Sequence, residues 1–74
     1  MKAIDQVEAW LEEGKVNISP RELAALIGGN PYSYSISAKN GHLGIPYVYA
    51  GRNLRISLMG VKHYLLGDTA LYKS

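Results

Sequence analysis

The chain has 74 residues, eight basic and six acidic side chains and no cysteine, for a formal net charge of +2. That length holds one domain and lies near the lower limit for a core held by apolar burial alone. The lack of cysteine excludes a disulfide scaffold and a cysteine-ligated zinc, and 47% apolar with 19% charged residues excludes a disordered tail.

The first predicted element is a helix over residues 3–13. Ile4, Val7 and Leu11 recur at helical spacing, and Ala3 and Trp10 widen that apolar stripe. Asp5, Glu8 and Glu12 run beside it as an acidic stripe, and Gly14 supplies the stop. Packing of this helix on the rest of the domain is the default expectation, with a subunit contact through Trp10 as the alternative.

A second helix is announced by Ser19-Pro20-Arg21-Glu22. Ser at the N-cap, Pro at the first helical position and Glu at the third make a capping box. Ile18 and Leu23 are placed as a hydrophobic staple across it. Leu23, Leu26 and Ile27 form its buried face, and Gly28-Gly29 ends it.

Asn30-Pro31 restarts a helix by the same logic, and Asn40-Gly41 stops it. The intervening Tyr32-Ser33-Tyr34-Ser35-Ile36-Ser37 alternates like a strand, but the capped start and the stop predict a helix. Two helices joined by two or three residues with glycines between them read as a helix-turn-helix.

Residues 45–57 are rich in β-formers on both sides of Ala50-Gly51-Arg52-Asn53, which predicts a hairpin. Tyr47, Tyr49, Leu54 and Ile56 are expected on one face, and Val48, Arg55 and Ser57 on the other. Ser57 then caps a last helix with Val61, Tyr64 and Leu65 inward and Gly67 at its end. Gly60 inside that helix calls for a packing reason or marks a frayed first turn, since it costs about 1 kcal/mol against Ala. Residues 68–74 are expected to form a loose tail apart from Leu71 and Tyr72.

The order is helix, helix-turn-helix, two-stranded wing, helix. The fold class expected is mainly α with a small β-hairpin wing, a winged helix-turn-helix with an extra N-terminal helix. It is one domain over 1–74, with the N-terminal helix in 1–14, the winged part in 18–66 and the tail in 68–74.

With these residues in place, the chain resembles the excisionase-like and MerR-like winged helix-turn-helix family. The resemblance rests on Ile18 to Gly28, Asn30 to Leu43, Gly51-Arg52-Asn53-Leu54-Arg55-Ile56-Ser57 and Val61 to Leu65. Between Leu43 and Gly51 the chain is about two residues longer than the family's common pattern.

The resemblance implies double-stranded DNA as partner, with helix 30–40 in the major groove and wing 48–56 on the minor groove or backbone. It implies an excisionase or transcriptional regulator of a phage or mobile element. Binding as a homodimer or cooperative oligomer, and contact with a recombinase or other phage protein, belong to the same expectation. Carried over by position, Tyr32, Ser33, Ser35, Ile36 and Lys39 face the groove, while Tyr34 and Ala38 point into the core. The chain departs from the family in this helix, which lacks an early Arg or Lys and so lacks bidentate readout of guanine.

Arg52, Asn53 and Arg55 are the wing candidates for phosphate or minor-groove contact, with an ordinary solvated turn as the alternative. Arg21, in the first turn of its helix, is a phosphate anchor or a plain surface residue. Lys39, Asn40 and His42 cluster at the end of the 30–40 helix, where cationic residues also complement the dipole, the reading preferred for His42. His63 is expected at the surface or rim. The six tyrosines suit core packing first and a stacking platform second.

No catalytic residue, cofactor or metal site is expected: paired carboxylates near a His and a phosphate loop after a strand are both missing. No run approaches the roughly 20 apolar residues of a membrane span, and Asp5 interrupts any signal-like start, so a cytoplasmic protein with no membrane partner is expected. The rival to DNA binding is a protein-interaction adaptor or antirepressor built on the same winged fold.

Charge divides along the chain. Residues 1–14 hold one Lys against four carboxylates, and residues 15–74 hold seven basic residues against Glu22 and Asp68. An acidic helix is attached to a basic body.

Overall fold

The computed structural model describes residues 2–73. Four helices and a three-stranded antiparallel sheet follow one another as α1 (Ala3–Glu12), β1 (Asn17–Ile18), α2 (Pro20–Ile27), α3 (Pro31–Lys39), β2 (Tyr47–Ala50), β3 (Asn53–Ser57) and α4 (Leu58–Leu65). The strand order is β1-β3-β2. No helix among the described residues is long and apolar enough to cross a membrane.

The helix starts follow the caps. The Ser19 hydroxyl accepts from the Glu22 amide at 3.2 Å, and the Glu22 carboxylate accepts from the Ser19 amide at 3.1 Å. The Asn30 side chain accepts from the Tyr32 amide at 2.8 Å, and the Ser57 hydroxyl accepts from the Gly60 amide at 3.1 Å. Gly28 closes α2 at φ 87°, a backbone conformation that carries little cost only without a Cβ. Pro31–Lys39 is therefore helical despite its strand-like alternation, because caps at both ends outweigh weak propensity in the middle.

Eleven residues form the core, among them Val7, Ile18, Leu23, Tyr34, Ala38, Leu54, Ile56 and Val61. Leu26, Ile27, Tyr64, Leu65, Trp10 and Leu11 pack on it from its edges. Gly60 has the expected packing reason: a Cβ there would lie 2.7 Å from Pro46 Cδ and 2.9 Å from Ile45 Cγ2. The glycine lets α4 press directly onto the segment leading into β2.

Three expectations need correction. The sheet has three strands, not two, because Asn17 and Ile18 pair with Ser57 and Ile56. A two-residue strand carries no alternation of its own, so no periodic signal marks it. The hairpin's regular pairing starts at Tyr47 rather than Ile45, and runs Tyr47 with Ile56 to Ala50 with Asn53. Ile45 is instead a fully buried plug, as is Leu43 two residues before it.

The third concerns the tail, which is anchored at Leu71 and Tyr72, as expected, and also at Lys73. The Gly44 amide donates to Leu71 O at 2.7 Å, and the Lys73 amide donates to His42 O at 2.8 Å. Leu43 and Tyr72 form the bridge between these two bonds. Ser74, the last residue of the expected tail, lies outside the described residues.

α1 packs against α4 and, less extensively, α2; neither α3 nor β2 is among its main partners. Its acidic residues Asp5, Glu8 and Glu12 stay exposed. Lys15 joins this helix to the next, with its ammonium 4.8 Å over the Trp10 ring and paired with the Glu22 carboxylate. The Lys15 hydrogen bond, helped by the Ser19 amide and opposed by partial burial, holds the Glu22 carboxyl below the usual carboxylate range.

Candidate functional site

The hairpin tip, the start of α2 and one flank of α3 enclose an open groove of about 310 Å³. Its walls are Ser19, Pro20, Ser35, Tyr49, Arg52, Asn53, Leu54 and Arg55. Two arginines and no carboxylate line it, so its electrostatic character is basic. The sequence-predicted residues Ser35, Arg52, Asn53 and Arg55, drawn from two separate elements, meet here.

The hairpin sets the arginines differently. Gly51 and Arg52 form the turn, with Gly51 at φ 66°, and Arg52 projects from the tip fully into solvent. Arg55 lies within β3 and is half-buried. Its Nε donates to Asn17 Oδ1 at 2.7 Å, so β1 orients this guanidinium. One arginine is exposed at the turn and the other is held by a side-chain partner.

α3 presents a second surface beside the groove. Tyr34 and Ala38 point inward as expected, at 4% and 3% exposure. Burial of the ring pushes the Tyr34 phenol above its ordinary pKa, and the protonated hydroxyl donates to Gly28 O at the end of α2. At the other end of α3, the Tyr47 hydroxyl donates to Ala38 O at 2.8 Å. Two phenols thus pin both ends of α3, one to α2 and one to the hairpin.

With that face fixed inward, Tyr32, Ile36 and Lys39 fall on the outward face at helical spacing. Ser35 lies on the flank toward the groove and Ser33 on the opposite flank. The Ser35 hydroxyl donates back to Pro31 O at 3.3 Å, which ties it to its own helix.

Arg21 is exposed next to Pro20 at the groove's edge but does not line it. The helix start beside it is no open anion cradle. The capping box already occupies the Ser19 and Glu22 amides, and Glu22 brings its own negative charge.

Tyr49 is the residue that sequence reasoning assigned to the core and the structure assigns to the groove wall. It is half exposed and meets Tyr47 edge-on, with centroids 6.1 Å apart and planes at 86°. Alternation correctly put it on the face of Tyr47, Leu54 and Ile56, but this hairpin end extends past the core. Ser19 and Pro20, read only as helix-start residues, also line the groove.

His42 is exposed and His63 lies at the surface, its Nδ1 3.5 Å from Asp68 Oδ2 at the end of α4. No group of three His, Asp or Glu side chains that could hold a metal ion occurs among the described residues. Comparison with protein-family models, with curated proteins and with solved structures finds no match.

Proposed function

We propose that this chain is a small double-stranded DNA-binding protein of winged helix-turn-helix type. In this reading α2 and α3 are the helix-turn-helix, α3 meets the major groove, and the β2–β3 hairpin is the wing on the minor groove or backbone. The resemblance to the excisionase-like and MerR-like family gives the role: excisionase or transcriptional regulator of a phage or mobile element. The observation that carries the proposal is the carboxylate-free groove that joins Arg52 and Arg55 to the Ser35 flank of α3.

The physical case is one of charge placement. A net charge of +2 is too small to hold a polyanion if spread evenly. Here four of the six carboxylates lie on and just after α1, and two of the three arginines lie on the hairpin. Lys39 on the outward face of α3 and Arg21 beside the groove extend the same basic surface. One module of this size, with no bidentate guanine reader on α3, holds DNA weakly, so neighbouring copies on adjacent sites follow from the energetics.

The test is fluorescence anisotropy on duplex DNA across a salt series. Affinity falls as salt rises, and Arg52→Ala with Arg55→Ala flattens the logarithmic salt slope by about two. Asn17→Ala, which frees Arg55 without removing its charge, leaves the slope near the parent value. A slope and affinity unchanged by the double substitution overturn the wing assignment.

A second reading is favoured by the outer face of the sheet. Val16, Pro46 and Val48 are exposed there around a smaller apolar depression beside Arg55. As a protein-interaction adaptor or antirepressor on the same fold, the chain would use this face and bind no duplex even at low salt. Val48→Asp would then abolish partner capture and leave the arginine double variant at parent level.

A further inference from the structure

The outward face of α3 carries apolar surface that helix formation does not explain. Tyr32 is 71% exposed, and Ile36, four residues on, keeps 39% of its surface exposed. Both are mediocre helix formers, and Tyr32 buries little in the free protein. A polar helix former would serve the fold better at position 32.

What this face lacks is equally specific. Guanine offers two acceptors that suit Arg or Lys, cytosine offers a donor that suits a carboxylate, and adenine offers a pair that suits Asn or Gln. From Pro31 to Lys39 the helix has no Arg, Asp, Glu, Asn or Gln, and its one Lys, Lys39, stands at the end of the last turn. The Asn30 amide oxygen is engaged by the Tyr32 backbone amide and the Ser35 hydroxyl by Pro31 O, while Asn40 stands beyond the last turn. Ahead of Lys39 the outward face is formed by Tyr32 and Ile36, and the one apolar group a base displays in the major groove is the thymine C5-methyl.

The hairpin points to the same composition. Arg52 stands alone and exposed on a Gly-bearing tip. A narrow minor groove, which A·T runs form, concentrates negative potential and attracts an inserted arginine. We infer that the ligand of this surface is A·T-rich duplex, with Tyr32 and Ile36 on thymine methyls and Arg52 in a narrowed minor groove. This rests on the DNA-binding reading above and names the class of duplex.

The full chain is titrated at low salt against four duplexes of one length: A·T-rich, the same with uracil for thymine, G·C-rich, and G·C-rich with 5-methylcytosine. The A·T duplex binds tightest, and loss of its methyls weakens binding about fourfold for each methyl buried by the protein. The methylated G·C duplex gains over the plain one for the same reason. Ile36→Ser and Tyr32→Ser lower affinity for the A·T duplex and erase the thymine–uracil difference. Arg52→Ala lowers A·T affinity but keeps that difference.

Thermal unfolding of each variant confirms that it folds. Equal binding to all four duplexes, tighter binding to G·C, or a thymine–uracil difference that survives Ile36→Ser and Tyr32→Ser overturns this inference while DNA binding stands. Absence of binding to every duplex overturns both together.

Discussion

Helices α2 and α3 begin with the same chemistry, a polar cap accepting from a first-turn amide and a proline directly after it, and then diverge. α2 continues with Arg-Glu-Leu-Ala-Ala-Leu-Ile, strong helix formers with one apolar stripe. α3 continues with Tyr-Ser-Tyr-Ser-Ile-Ser, weak formers with no clear stripe. α2 is specified by its whole length. α3 is specified at its ends, by the Asn30 cap, the two buried residues Tyr34 and Ala38, and two tyrosine hydroxyls. The difference teaches that a helix held at a few points leaves its remaining positions free of folding duty.

The largest effects should come from removing those points. Tyr34→Ala is expected to cost about 3–5 kcal/mol, as aromatic-to-Ala changes in cores do, and Leu23→Ala about 2–5 kcal/mol. Urea unfolding monitored at both aromatic and far-ultraviolet bands measures both. If Tyr34→Ala proves nearly neutral, α3 is held by something other than its inward face.

Cap removal sharpens the contrast further. Ser19→Ala and Asn30→Ala each cost about 1 kcal/mol. Asn30→Ala should also lose helical signal before global unfolding, because α3 has little propensity in reserve, whereas Ser19→Ala should not. Equal helix loss in the two variants would erase the distinction drawn here. Tyr34→Phe, which removes only the hydroxyl bonded to Gly28 O, should cost about 0.5–1.5 kcal/mol.

Acid should act on the α1–α2 junction. The folded Glu22 carboxyl titrates below its unfolded value, mainly through Lys15, so its stabilising contribution is present above the ordinary carboxylate range. It is lost as pH falls through the folded value. Glu22→Gln keeps an acceptor for the capping box but loses this charge. The stability gap between parent and Glu22→Gln is therefore widest near neutrality and closes in acid, as melting curves at several pH values will show.

The smallest effects belong to the outward face of α3. Tyr32→Ser should change stability by no more than about 0.5 kcal/mol, and Ile36→Ser, which gives up the covered part of its side chain, by about 1 kcal/mol. A larger loss would mean that these positions serve the fold after all.

Much of this architecture is written in short-range signals. Ser19-Pro20, Asn30-Pro31 and Ser57 give three helix starts because capping is chemistry between residues two or three apart. The inward placement of Tyr34 and Ala38 is implied by the family resemblance, since α3 shows no clear apolar stripe of its own. What stayed hidden depends on partners distant along the chain. Arg55 reaches Asn17 across 38 positions, Tyr47 reaches Ala38, and Leu71 lies on Gly44. The groove itself is of this second kind: Tyr49 belongs to it because the hairpin outruns the core, and no local pattern records where a core ends.

β1 is only two residues long, yet it couples three parts of the molecule. Ile18 and Asn17 are laddered to β3, Ser19 opens α2 immediately afterwards, and Asn17 also holds the Arg55 guanidinium. The hairpin wall and the α2 wall of the groove are therefore joined through one short ladder, with only Ser19 between β1 and α2. The spacing of those two walls is set by backbone pairing.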